Sequence, residues 1–105
     1  MQKILIQLYS VPENAVIEFR EAAYKRQAFI RTIAGYVEGD KFEKSDGESR
    51  YNFITKAVWE NEEALENARK AITLEDERMG YDPQANAKRL GIESIRSTYE
   101  RVVLD

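Results

Sequence analysis

Residues 50–72, RYNFITKAVWENEEALENARKAI, change period part-way through. Up to Trp59 the side chains alternate. Tyr51, Phe53, Thr55, Ala57 and Trp59 share one face of a predicted strand over 50–59, and Asn52, Ile54, Lys56 and Val58 share the other. Both faces are mostly apolar, so both are at least partly covered. Beyond Glu60 the spacing becomes helical. Asn61 is placed to cap, Glu62 and Glu63 fall in the first turn where the helix dipole favours anions, and Ala64, Leu65, Ala68 and Ile72 form an apolar stripe. The stretch is therefore a strand running directly into a helix, with the chain's one tryptophan at the junction.

Outward from this junction the other elements follow. Residues 36–44 read as an irregular strand, joined to the first by SDGE, where Asp46-Gly47 supplies the positive φ angles of a tight hairpin. Before it, residues 12–35 carry helical period, with Val16, Phe19, Ala23, Ile30 and Ile33 on one stripe, Pro12 at the start and Gly35 at the end. KILIQLY, residues 3–9, is apolar at nearly every position, as a strand covered on both faces would be. Downstream, the helix after Trp59 fades before Gly80, DPQANAKRLG encodes a short helix between Asp82 and Gly91, and a last strand spans about residues 92–103.

The order strand, helix, strand, strand, helix, short helix, strand predicts an α+β domain. Its two-layer solution is a ferredoxin-like, four-stranded antiparallel sheet with the helices on one face. Helices on one face leave the other uncovered, yet the strands are apolar on both. A second copy is expected to cover the open face in a twofold homodimer.

With 105 residues and 43% hydrophobic content, the chain closes one modest core, so residues 1–105 are expected to form a single domain. The net charge of −3 argues against nucleic acid as a partner. No stretch approaches the roughly 20 apolar residues that span a bilayer, and MQKILIQLYS is too short for a signal-peptide core. A cytoplasmic protein without a membrane partner is expected. Cysteine and histidine are both absent, which removes thiolate nucleophiles and the commonest general base, haem ligand and zinc ligand. No metal site and no cofactor are expected. Chemistry is left to carboxylates, Lys, Tyr, Arg, Ser and Thr, or to a reactive substrate.

A glycine-aromatic pair after the first helix, a DG hairpin and a strand closing in Trp-Glu before an EEA start together resemble the antibiotic biosynthesis monooxygenase family. The matching pieces are Phe19, Gly35-Tyr36, Asp46-Gly47, Trp59-Glu60 and Glu63-Ala64-Leu65, covering roughly residues 3–74. The resemblance implies a dimeric α+β barrel, with two ferredoxin-like subunits packed sheet to sheet and a pocket between sheet and helices in each. It further implies cofactor-independent oxygenation of a hydrophobic, aromatic or quinone-like small molecule. The alternative is a non-catalytic dimer of the same fold that binds a small molecule or serves a structural role. Haem-degrading relatives carry a histidine in the second helix, where this chain reads Asn67-Ala68-Arg69-Lys70-Ala71, so haem in its usual form is disfavoured.

Candidate pocket residues are Gln7, Phe19, Tyr36, Trp59 and Tyr99, with no catalytic residue assigned. Trp59 alone reads as a packing anchor, and under the resemblance as pocket wall. Gln7 interrupts an apolar strand and either contacts a ligand or bonds neighbouring backbone. Tyr36 is pocket wall or core, Phe19 is core, and Tyr99 offers a hydroxyl in a strand of mixed alternation. Asn52 and Lys56, opposite Trp59, suit dimer contacts, although Lys56 within a pocket would be a candidate base. The Glu66 and Lys70 pair reads as a solvated helix face, and Arg89 and Arg96 carry no functional argument.

Overall fold

The computed structural model describes residues 1–104. Strand β1 (Lys3–Ser10) leads through a 3-10 turn at Glu13–Ala15 into helix α1 (Val16–Ile30). Strands β2 (Tyr36–Glu43) and β3 (Phe53–Trp59) follow, then α2 (Glu62–Met79), α3 (Pro83–Leu90) and β4 (Glu93–Tyr99). The four strands are antiparallel in the order β2-β3-β1-β4, the ferredoxin-like arrangement. The Cα extents are 41 × 40 × 18 Å, so the molecule is a slab two layers thick. Its radius of gyration of 14.4 Å exceeds the roughly 13 Å of an equally long compact globule, as a flat shape requires.

Local chemistry explains the helix ends. Asn61 Oδ1 accepts from the Ala64 N–H at 2.8 Å and Asp82 Oδ1 from the Ala85 N–H at 3.1 Å, each satisfying an orphan donor of a first turn. Gly80 and Gly91 close α2 and α3 in the left-handed conformation. Gly35 is required twice over: its φ is +89°, and a Cβ there would lie 2.4 Å from the Cβ of Ala64. The first turn of α2 thereby packs directly on the backbone before β2.

Three expectations change. β3 starts at Phe53, not residue 50, because Asn52 is committed elsewhere. Its amide accepts from the Val11 N–H at 2.8 Å and donates to the Val11 carbonyl at 2.9 Å, which pins the end of β1. Asn52 is thus an internal tie between β3 and the end of β1. The β2–β3 connection is correspondingly long, residues 44–52, and Asp46-Gly47 sits within it in place of forming a two-residue turn. β4 stops at Tyr99, beyond which Arg101 turns toward Gln2 and Glu38, each at 3.4 Å.

The register settles the two faces. Leu5, Gln7, Tyr9, Phe53, Thr55, Ala57 and Trp59 face the helices, while Ile4, Ile6, Leu8, Ile54, Lys56 and Val58 face away. The outward face continues with Phe42, Ile95 and Tyr99, each about half exposed. An ion pair between Lys56 and Asp40 at 3.5 Å is set among them. Val58 on this side is nonetheless fully buried. It pairs with Ile4 and Glu38, so Arg101, bonded to Gln2 and Glu38, crosses its corner of the sheet.

Candidate functional site

The layer between sheet and helices holds two apolar clusters. One contains Ile30, Ala57, Trp59, Leu65 and Ala68, with Leu5 and Tyr36 against it. The other contains Val11, Ala15 and Phe53, with Tyr9, Phe19 and Leu90 against it. Between them the ladder pairs Lys41 with Thr55, Thr55 with Gln7 and Gln7 with Arg96. A polar row therefore crosses all four strands on the helix-facing side, flanked on the two central strands by Leu5 and Ala57 on one side and by Tyr9 and Phe53 on the other.

The helices answer this row with polar groups of their own. The sheet-facing stripe of α1 is interrupted by Arg26 and Gln27, both half-buried. Arg26 Nη2 donates to Asp76 Oδ1 of α2 at 2.6 Å, closing the layer above the row with a partly buried ion pair. Lys41 Nζ donates to Gln27 Oε1 at 2.9 Å, and Gln27 Nε2 donates to the Tyr36 hydroxyl at 2.8 Å. Among the described residues neither the Gln7 amide nor the Arg96 guanidinium makes a side-chain hydrogen bond or ion pair. Arg96 is exposed and Gln7 half-buried, so both reach solvent, and their hydrogen-bonding groups are open to a ligand's polar atoms in place of water.

The Lys41–Thr55 end of the row opens to the surface as a groove of about 250 Å3 between α1 and β2–β3. Phe19, Ala23 and Phe53 form its apolar wall, and Tyr24, Lys41 and Thr55 bring polar atoms to it. Phe19 packs at 4.9 Å on Tyr9 and 4.8 Å on Phe53, so an aromatic cluster backs the groove. Arg20 clamps Glu43 at the rim through two bonds of 2.7 and 2.9 Å, which holds the Glu43 carboxyl below its usual range. Burial pushes the Tyr9 phenol up, offset in part by the Thr55 side chain and then by the charges of Arg96 and Arg26. Tyr9 is thus a neutral hydroxyl beside the row. Burial, helped by the charge of Arg31, draws the Lys41 ammonium down.

No protein-family model matches the chain, and no curated protein matches it. Solved structures do. A candidate monooxygenase from Shewanella loihica PV-4 superposes with a TM-score of 0.76 at 17% identity, over 98% of this chain and 96% of that one. A mutant form of SnoaB, a cofactor-independent oxygenase from Streptomyces nogalater, gives 0.74 at 19% identity, over 98% and 95%. A dabb family protein with a ferredoxin-like fold from Mesorhizobium loti gives 0.65 at 8% identity, over 97% and 98%. This chain shares their ferredoxin-like fold.

Within this ferredoxin-like fold the sequence candidates separate. Trp59 and Tyr36 lie together, rings edge-on at 5.7 Å and 76°. Trp59 is only 2% exposed, and its indole N–H is buried without an acceptor. Neither lines the groove. Phe19 does, and Gln7 stands in the middle of the polar row, inward from Thr55. Tyr99 is not part of this constellation: it pairs with Ile4 and so stands on the outward face of the sheet, half exposed. Lys56 likewise faces outward, bound to Asp40. Lys41, Thr55 and Arg96 were missed as site residues, because only the strand register aligns them with Gln7. The residues of α2 after Trp59 bring Arg69 to bonds with Glu66 and with the Thr98 hydroxyl of β4. Among the described residues no three acidic side chains converge as metal ligands would.

Proposed function

We propose that the groove between α1 and β2–β3 binds a hydrophobic, aromatic or quinone-like small molecule and that the protein oxygenates it without a cofactor. The carrying observation is the polar row that divides the apolar layer and opens into the groove at Lys41 and Thr55. A few hundred Å3 of aromatic-lined space with a few converging polar groups suits a small planar ligand. The monooxygenase-like fold supports the same reading at the level of architecture. In the site so proposed, Phe19 is the aromatic wall and Gln7 the inner polar contact, while Trp59 and Tyr36 support the row from the adjoining cluster.

The chemistry asks little of the protein. An enolate or phenolate carbon activated by its oxyanion transfers electrons to O2 and forms a C–O bond. Protonation gives a hydroperoxide, and loss of water from a carbon that bore two hydrogens leaves a carbonyl, so O2 is reduced to that oxygen and one water. The protein must ionise, orient and shield the substrate. The proposal includes a homodimer through the outward sheet face and a cytoplasmic setting; no helix among the described residues is long and apolar enough to cross a membrane.

A second reading, a binding protein without catalysis, is favoured by the sealed environment of Trp59. Oxygen uptake with a panel of quinols and anthrone-like substrates separates the two. Uptake in the native protein, lost when Ala23→Trp fills the groove, supports oxygenation. Saturable binding without uptake for every compound leaves the binding protein, and absence of any binding removes both.

A further inference from the structure

Lys41 differs from the other cations around the groove. Arg20 is neutralised by Glu43 and Arg26 by Asp76. Among the described residues Lys41 has no carboxylate within ion-pair reach; its Nζ is held by the neutral Gln27 amide at 2.9 Å and stands 6.0 Å from the centre of the Tyr24 ring. The arm that holds it is built into the fold. Gln27 is itself fixed by the Tyr36 hydroxyl, and Tyr36 by Trp59. Gly39 leaves the space for this arm: a Cβ there would lie 2.7 Å from the Tyr36 hydroxyl, 3.0 Å from the Lys56 carbonyl and 3.3 Å from Gln27 Nε2.

We infer that Lys41 is the oxyanion-holding residue of the groove, and that the groove selects ligands carrying a weakly acidic O–H, a phenol or an enol. The inference rests on the groove being the ligand site and deepens that reading. The ligand's O–H bond breaks, its proton leaves to solvent, and the Lys41 ammonium, already oriented by Gln27, pairs with the oxygen left behind. Partial desolvation and the neighbouring Arg31 both disfavour the Lys41 ammonium, and the charge of a ligand anion beside it offsets them. The other charged or titratable groups facing Lys41 are the Arg20–Glu43 pair at the rim and the Tyr24 and Tyr36 hydroxyls, none of which supplies a free negative charge. A permanently neutral aromatic gains nothing from this arrangement. A phenol gains affinity as it ionises, so its apparent pKa falls on binding.

The test uses 4-nitrophenol, whose phenolate absorbs separately from the phenol, titrated with pH in the presence of saturating protein and in the absence of turnover. The expected result is a fall of about one pKa unit for the bound probe, a roughly tenfold preference for the anion. Lys41→Met is expected to abolish the shift and Lys41→Arg, which keeps the charge, to restore most of it. An equal shift in the native protein and in Lys41→Met overturns the inference, as does binding with no shift, although the latter leaves the groove as a ligand site. Failure of any phenol to bind overturns both. A shift that depends on Lys41 without oxygen uptake from any quinol upholds the inference and removes only the catalysis.

Discussion

Tyr9 is the clearest case at the scale of one residue. Its phenol is pushed above the usual value of 10.0, chiefly by burial. A group whose folded pKa is raised contributes stability that is complete below the unfolded value and lost as pH rises through the folded one. Urea midpoints of the native protein should therefore fall above about pH 10, and Tyr9→Phe should flatten that alkaline limb. Gly39 is a second case. Gly39→Ala presses a methyl against the Tyr36 hydroxyl and the Lys56 carbonyl, and a loss of about 1–3 kcal/mol is expected in chemical denaturation, with weaker ligand binding as the Lys41 arm shifts. Gln7 was visible from sequence as an amide in an apolar strand. Its row mates were not, because Lys41, Thr55 and Arg96 come into line only through pairings between distant segments. The position of Tyr99 failed for the same reason: mixed alternation in ESIRSTY gives no face until Ile4 is seen opposite.

Elements whose signals are local were legible. α2 and α3 begin at the caps Asn61 and Asp82 and end at Gly80 and Gly91, since a cap is decided by residues within a turn of it. The start of β3 was not, because Asn52 is drawn away by Val11, 41 positions distant. The strand-to-helix junction at Trp59 carries much of the packing. Trp59, Leu65 and Ala68 are each at most 2% exposed, so the end of β3 and the first turns of α2 are joined through one buried ring. Trp59→Ala is expected to cost about 3–5 kcal/mol in urea denaturation, and loss of the edge-on contact with Tyr36 should add mobility to the Gln27–Lys41 arm.

At the scale of the whole molecule, a slab 18 Å thick has one layer of helices and one exposed sheet face. Ile4, Ile6, Leu8 and Ile54 on that face, continued by Phe42 and Ile95, make the apolar surface that a second copy would cover. Light scattering at micromolar concentration should give about twice the 12.2 kDa chain mass. Leu8→Lys places a charge between Ile54 and Ile95 and should return the single-chain mass without disturbing the helix-facing layer. The row from Lys41 to Arg96 has one more consequence. Cooperative opening follows continuous apolar contact, and here that contact is interrupted. In native-state amide exchange the Phe53 and Val11 half should open sub-globally while the Trp59 half stays closed, so that β3, which belongs to both, exchanges at two distinct rates along its length.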